Sequence, residues 1–331
     1  METIVLTQEM KNRIQIVRTI AIFSVIAIHT IGGNPYEIYL RPFMNFGVGT
    51  FLFLSGFLTP EIKDIKAFYK KRILRVLIPY VIWSMLLCLV YGNYSKFWFH
   101  LLTFRQSSIY YYIFVYLQIT LLAPLLLKIM ETRAVWSILL VSPLAIAGES
   151  IWALTGHYLI YPNNINNCLV WMSFFYLGMF FRKQKMRHKI LLGKWGIALV
   201  FSVILEICEG RFWLSFGRED LSTTQVKLSA MLVTVCVCML IYVYITHEKQ
   251  KKQNSRSIRR IETFMLDVGN SSFGIYLIHP VFLYLLKGGK SLAFPISTFV
   301  VWGISYAVVK AGQHIFGKKV GQYLGFHRVK L

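Results

Sequence analysis

The run "RTIAIFSVIAIHT", residues 18–30, is apolar enough for a membrane, yet it opens with Arg18 and carries His29 near its end. On a helix, eleven positions make about three turns, so both side chains leave one face, roughly 16 Å apart along the axis. A charge within a membrane span costs about 2.5 kcal/mol or more, so such residues usually line a bundle interior or a water-filled path. An imidazole titrates near neutrality and suits general acid–base work. Taken alone, the pair also fits a plainer arrangement, with Arg18 reaching lipid phosphates and His29 hydrogen-bonding a neighbouring helix.

A second basic pair lies in "YKKRILRVLIPY", residues 69–80, where Arg72 and Arg75 share a helical face at the entrance of an apolar run, ahead of Pro79. Two guanidiniums presented together form a clamp suited to phosphates, and also a membrane-surface anchor. Glu149, Glu206 and Glu209 fall at about the depth of His29 and are candidates to partner a base. Glu206 follows the mostly apolar "IALVFSVIL" and is costly to bury unpaired; Glu209 reads as interfacial. "GNSSFGIYLIHP", residues 269–280, ends in His279 and Pro280, where the histidine is expected to bond a carbonyl that the proline frees. No metal-ligand spacing, phosphate-cradling glycine loop or nucleophile elbow is present.

The elements that must position these residues are membrane helices. With 331 residues, 56% hydrophobic, 16% aromatic and only 15% charged, at a mean hydropathy of +0.55, the chain is too apolar for an ordinary soluble domain. The net charge of +22 comes in short clusters between apolar runs, which fits an anionic membrane surface and not a nucleic acid. Apolar runs near 14–33, 42–60, 75–92, 109–129, 135–154, 168–182, 190–208, 225–246, 270–287 and 293–316 predict an all-α bundle of about ten transmembrane spans. The fifth run is interrupted by Pro143, Gly148 and Glu149, and a basic turn separates the short sixth and seventh. Most of the 36 Lys and Arg residues lie in alternate segments, chiefly 61–75, 182–194, 247–260 and the tail after 317, which puts both termini in the cytoplasm. The N-terminus lacks a cleavage site and reads as no cleaved signal peptide, and residues 1–331 read as one domain. The five cysteines show no spacing for a zinc site or disulfide framework. "FGVGTFLFLSGFLTP", residues 46–60, places Gly47, Gly49, Ser55 and Gly56 where helices can approach closely.

Four segments in this order resemble the membrane-bound acyltransferase-3 family: the Arg18–His29 spacing, "FLFLSGF", "RILR" ahead of Pro79, and "SSFGIYLIHP". The resemblance covers nearly the whole chain. It implies transfer of an acyl group, commonly acetyl, from acyl-CoA to sugars of cell-surface or cell-envelope glycans, in a cell membrane of bacterial type. It further implies that Arg72, Arg75, Arg18 and Ser55 meet the donor, acetyl-CoA or another acyl-CoA. His29 is implied as the base, with Arg18, Glu206 and Glu149 about the reaction, and Tyr110, Tyr111 and His279 on the acceptor. The chain departs from the family at Gln15, where relatives often carry an acid three positions before the arginine, and at "SSIYYYIFVYLQ", where many carry a "HLWFL"-like opening. Gln15 leaves Arg18 open to an anionic ligand. Direct transfer and a covalent acyl-enzyme are both compatible with these residues. Export of a small solute or polysaccharide is the alternative function, although no matched broken helices mark two halves.

Overall fold

The computed structural model describes residues 4–34, 36–59, 61–157, 164–183, 192–247, 256–286 and 292–326, and these contain helices and no strand. The helices of eleven or more residues are α1 (Gln8–Thr30), α2 (Gly47–Phe57), α3 (Ile65–Tyr91), α4 (Tyr111–Ile129) and α5 (Val141–Leu154), followed by α6 (Leu169–Lys183), α7 (Leu192–Ser215), α8 (Leu228–Thr246), α9 (Arg256–Leu285) and α10 (Ile296–Ile315). Each apolar run of the sequence overlaps one of them. Among the described residues, five helical segments are long and apolar enough to cross a membrane: Gln8–Thr30, Ile65–Tyr91, Ser108–Ile129, Arg133–Leu154 and Glu219–Thr246. At 11 and 15 residues, α2 and α6 are shorter than the roughly 20 residues a crossing needs. The basic turn at 184–191 lies outside the described residues.

Local chemistry sets several of these boundaries. The Thr7 side chain accepts from the Met10 N–H and caps α1, and Asp64 accepts from the Ala67 N–H and caps α3. Pro143 does not interrupt the fifth run: the helical segment Arg133–Leu154 continues through it, and the Ser173 hydroxyl donates to the Ile138 and Leu139 carbonyls just before it. α3 has 27 residues, or about 40 Å, against roughly 30 Å of hydrocarbon. The excess of about 10 Å matches the first seven residues of the helix, which carry Lys66, Lys70 and Lys71.

α1 is the most enclosed of the five spans and packs on α9, α2, α10 and α8. Small residues permit close backbone approach at two crossings, one of them on α1. A Cβ on Gly269 would stand 2.0 Å from the Gln15 carbonyl oxygen, so α9 and α1 meet backbone to backbone. Likewise a Cβ on Gly56 would meet the Phe175 carbonyl at 1.9 Å, and one on Gly178 the Phe53 carbonyl at 2.0 Å, which fixes α2 against α6. Polar ties add register. The Thr30 and Thr298 hydroxyls pair at 2.6 Å, and Arg13 donates to the Tyr244 carbonyl (2.8 Å) and to those of Ile245 and His247. The cation thus caps the negative end of α8.

Candidate active site

α1, the end of α2, α3, α4 and α9 enclose a cleft of about 610 Å³. Arg18, Ser55, Arg72, Arg75, Tyr112 and Tyr116 line it, joined by Lys63 and Lys71. The lining carries five cations against two carboxylates, Glu61 and Asp64, and Asp64 is already engaged as the α3 cap. A concave site of this charge concentrates anions.

Each guanidinium is placed differently. Arg72 donates to the Leu58 carbonyl at 2.9 Å and to the Tyr116 hydroxyl at 3.4 Å, and lies over the Phe68 ring. Leu58 is the C-cap of α2, so the helix end orients Arg72. Arg75, one turn on, lines the same cleft and lies within electrostatic reach of Arg18 and Tyr116. Arg18 is half-buried; its Nε and one Nη are shielded from solvent and have no hydrogen-bond partner. Its electrostatic neighbours are Tyr112, Arg75, Tyr116 and Arg72, with no carboxylate among them. A shielded cation among other cations is a costly arrangement unless an anion joins it. The cleft is therefore shaped and charged for a polyanionic ligand.

Beyond Arg18, rings lead along α1 toward His29. Tyr112 lies 5.5 Å from the Tyr276 ring, Tyr276 5.7 Å from His279, and His279 6.0 Å from His29, centroid to centroid. His279 is fully buried and its Nδ1 bonds the Tyr276 carbonyl at 2.7 Å. Arg18 and His29 thus both turn toward protein, one at the cleft and the other at α9.

The consecutive tyrosines separate. Tyr110 is buried, donating to the Leu277 carbonyl at 2.8 Å, and it ties α4 to α9. Tyr111 packs on Trp171 and its hydroxyl accepts from Gln225 at 3.4 Å. Tyr112 alone of the three enters the cleft, where its hydroxyl lies near Ser55.

Glu206 is fully buried; its Oε1 accepts from Asn45 at 2.6 Å and lies 3.7 Å from the Lys227 Nζ, which itself donates to the Ser222 carbonyl. Arg41 lies within electrostatic range of both Glu206 and His29. Glu209 accepts from the Ser229 N–H at 2.9 Å and from its hydroxyl, so it caps α8. Glu149 lines a different cavity, of about 390 Å³, with Trp152, Asn167, Trp213 and Lys227. Replacing Glu206 by alanine is expected to destabilise the protein by about 3–5 kcal/mol, because Lys227 is left as a buried charge. Thermal unfolding in detergent measures this; an unchanged midpoint would show that the pair holds nothing together.

Lys63, Lys71 and Tyr116 were not singled out from sequence. For Tyr116 the signal was its place one turn after Tyr112 on the same face. For the lysines it was their position beside the α3 cap. Among the described residues no group of His, Cys, Asp and Glu could hold a metal ion.

Membrane helices around a cationic cleft, with His29 beside the buried His279, define an integral-membrane protein with a site suited to an anionic ligand. The family model for the acyltransferase-3 domain, described as an acyltransferase domain, matches residues 11–310. The chain belongs to the acyltransferase-3 family and is a membrane acyltransferase with an acyl donor and an acceptor as substrates. No curated protein and no solved structure matches it.

Proposed function

We propose that the protein transfers an acyl group, acetyl in the simplest case, from cytoplasmic acyl-CoA to a hydroxyl of a cell-surface or cell-envelope glycan. Residues 1–331 form one domain of about ten spans in a bacterial plasma membrane, with both termini and the cationic cleft on the cytoplasmic side. The 61–75 segment, which carries Arg72 and Arg75, then obeys the lysine and arginine bias of inner loops. The observation that carries this reading is the Arg18 guanidinium beside Arg72 and Arg75, with its Nε and one Nη shielded from solvent and without a partner.

Arg72 and Arg75 bind the CoA phosphates, Ser55 and Tyr112 line the donor path, and Arg18 guides the pantetheine arm along α1. The roughly 16 Å between Arg18 and His29 is comparable to that arm. His29 takes the proton of the acceptor hydroxyl as its oxygen attacks the thioester carbonyl; the C–S bond breaks, and the proton passes to the departing CoA sulfur. Glu206, through Arg41, and Glu149 in the adjoining cavity are the acidic groups of this half. Tyr110 and Tyr111 support the wall that faces the acceptor.

Mass spectrometry of surface glycans with and without the protein tests the reading. The expected result is a mass difference of one acyl group on glycans from cells that carry the protein. Identical glycans, with a solute accumulating in vesicles that contain the protein, would overturn it in favour of export.

A further inference from the structure

Pro280 has no backbone N–H, so α9 cannot close its bond to the carbonyl four residues earlier, which is that of Tyr276. The side chain next door meets that need: His279 Nδ1 lies 2.7 Å from the Tyr276 carbonyl oxygen. A carbonyl only accepts, so Nδ1 carries the proton, and Nε2 of the neutral ring is a lone pair. His279 is fully buried, and this Nε2 has no hydrogen-bond partner. A buried acceptor without a donor is costly to maintain. The His29 ring stands 6.0 Å away, with the two planes at 36°.

We propose that His279 is the positioning residue of His29. Its Nε2 accepts the N–H of His29, which fixes the protonated nitrogen of that ring and leaves the other as the lone pair presented to the acceptor hydroxyl. A small side-chain rotation or one bridging water closes the present separation, as expected of catalytic hydrogen bonds that tighten only around substrate. When His29 gains the hydroxyl proton, the His279 lone pair stabilises the imidazolium, the task that a carboxylate performs in a Ser-His-Asp triad. Glu206 does not fill that role here: the ionisable groups within electrostatic reach of His29 are His279 and Arg41, and the Glu206 Oε1 is turned to Asn45 and Lys227. Pro280 is the origin of the arrangement, because it supplies the carbonyl that sets the His279 tautomer. The inference rests on His29 acting as the base of the proposed transfer.

The test is nitrogen-15 NMR of the full-length, histidine-labelled protein in nanodiscs, with the His29 signals assigned by their loss in His29→Asn. In the wild type His29 should show one protonated and one unprotonated nitrogen. In His279→Leu the two should average toward intermediate shifts, while His279→Gln, which keeps an acceptor, should preserve the separation. Pro280→Ala returns an N–H to the Tyr276 carbonyl and should mix the tautomers with both imidazoles in place. Thiol release from acetyl-CoA should fall by about 10- to 100-fold in kcat for His279→Leu, the usual size of losing an orienting partner, with KM for acetyl-CoA unchanged and partial recovery in His279→Gln. A His29 tautomer that ignores both His279→Leu and Pro280→Ala overturns the pairing. Tautomers that respond in a protein that releases no thiol from acetyl-CoA would instead keep the pairing and refute the acyl-transfer reading.

Discussion

His29→Ala is expected to lower kcat for acyl transfer by roughly 10² to 10⁴-fold, the contribution of a positioned general base. The donor cleft is formed by other residues, so KM for acyl-CoA should stay near the wild-type value. This split between kcat and KM separates loss of chemistry from loss of binding. Initial rates at several acetyl-CoA concentrations check both parameters. A variant that transfers at the wild-type rate would remove His29 from the mechanism.

Arg18→Leu should show the reverse pairing of stability and function. In the ligand-free protein Arg18 has shielded nitrogens without partners and other cations around it, so its removal should raise the unfolding midpoint. The same change should weaken CoA by about 10- to 150-fold, which corresponds to one charge-assisted hydrogen bond of about 1.5–3 kcal/mol. A residue that costs stability and supports binding is the expected mark of a functional site. Arg72 differs: it is anchored on the Leu58 carbonyl, so its loss should harm fold and affinity together.

Much of this arrangement was legible in the residues. Apolar run length located the helices, and the eleven-residue gap put Arg18 and His29 on one ridge, because helical period is a local property. The glycines and serine of "FGVGTFLFLSGFLTP" announced close packing, and Gly56 does meet the α6 backbone. Position within a helix was harder to weigh: Pro143 looked like a break, yet the helix continues through it, with the carbonyl four residues earlier, that of Leu139, taken by the Ser173 hydroxyl of α6. Tyr110 and Tyr111 were expected together at the acceptor, but successive helical positions point about 100° apart, and of residues 110–112 only Tyr112 reaches the cleft. Glu206 was marked as costly to bury, but its partners Asn45 and Lys227 lie far along the chain, and no spacing rule connects them. The meeting of His29 and His279 is of the same kind, set by the crossing of α1 and α9 at Gly269.

The most direct measurement of the central claim is thermal unfolding of purified wild-type and Arg18→Leu protein, each with and without CoA. A ligand at a hundredfold its Kd adds about 2.7 kcal/mol, so CoA should raise the wild-type midpoint clearly. Arg18→Leu should start higher and respond little at the same concentration. A wild-type protein whose midpoint ignores saturating CoA and acetyl-CoA would contradict the account, because the cationic cleft would then serve some other anion.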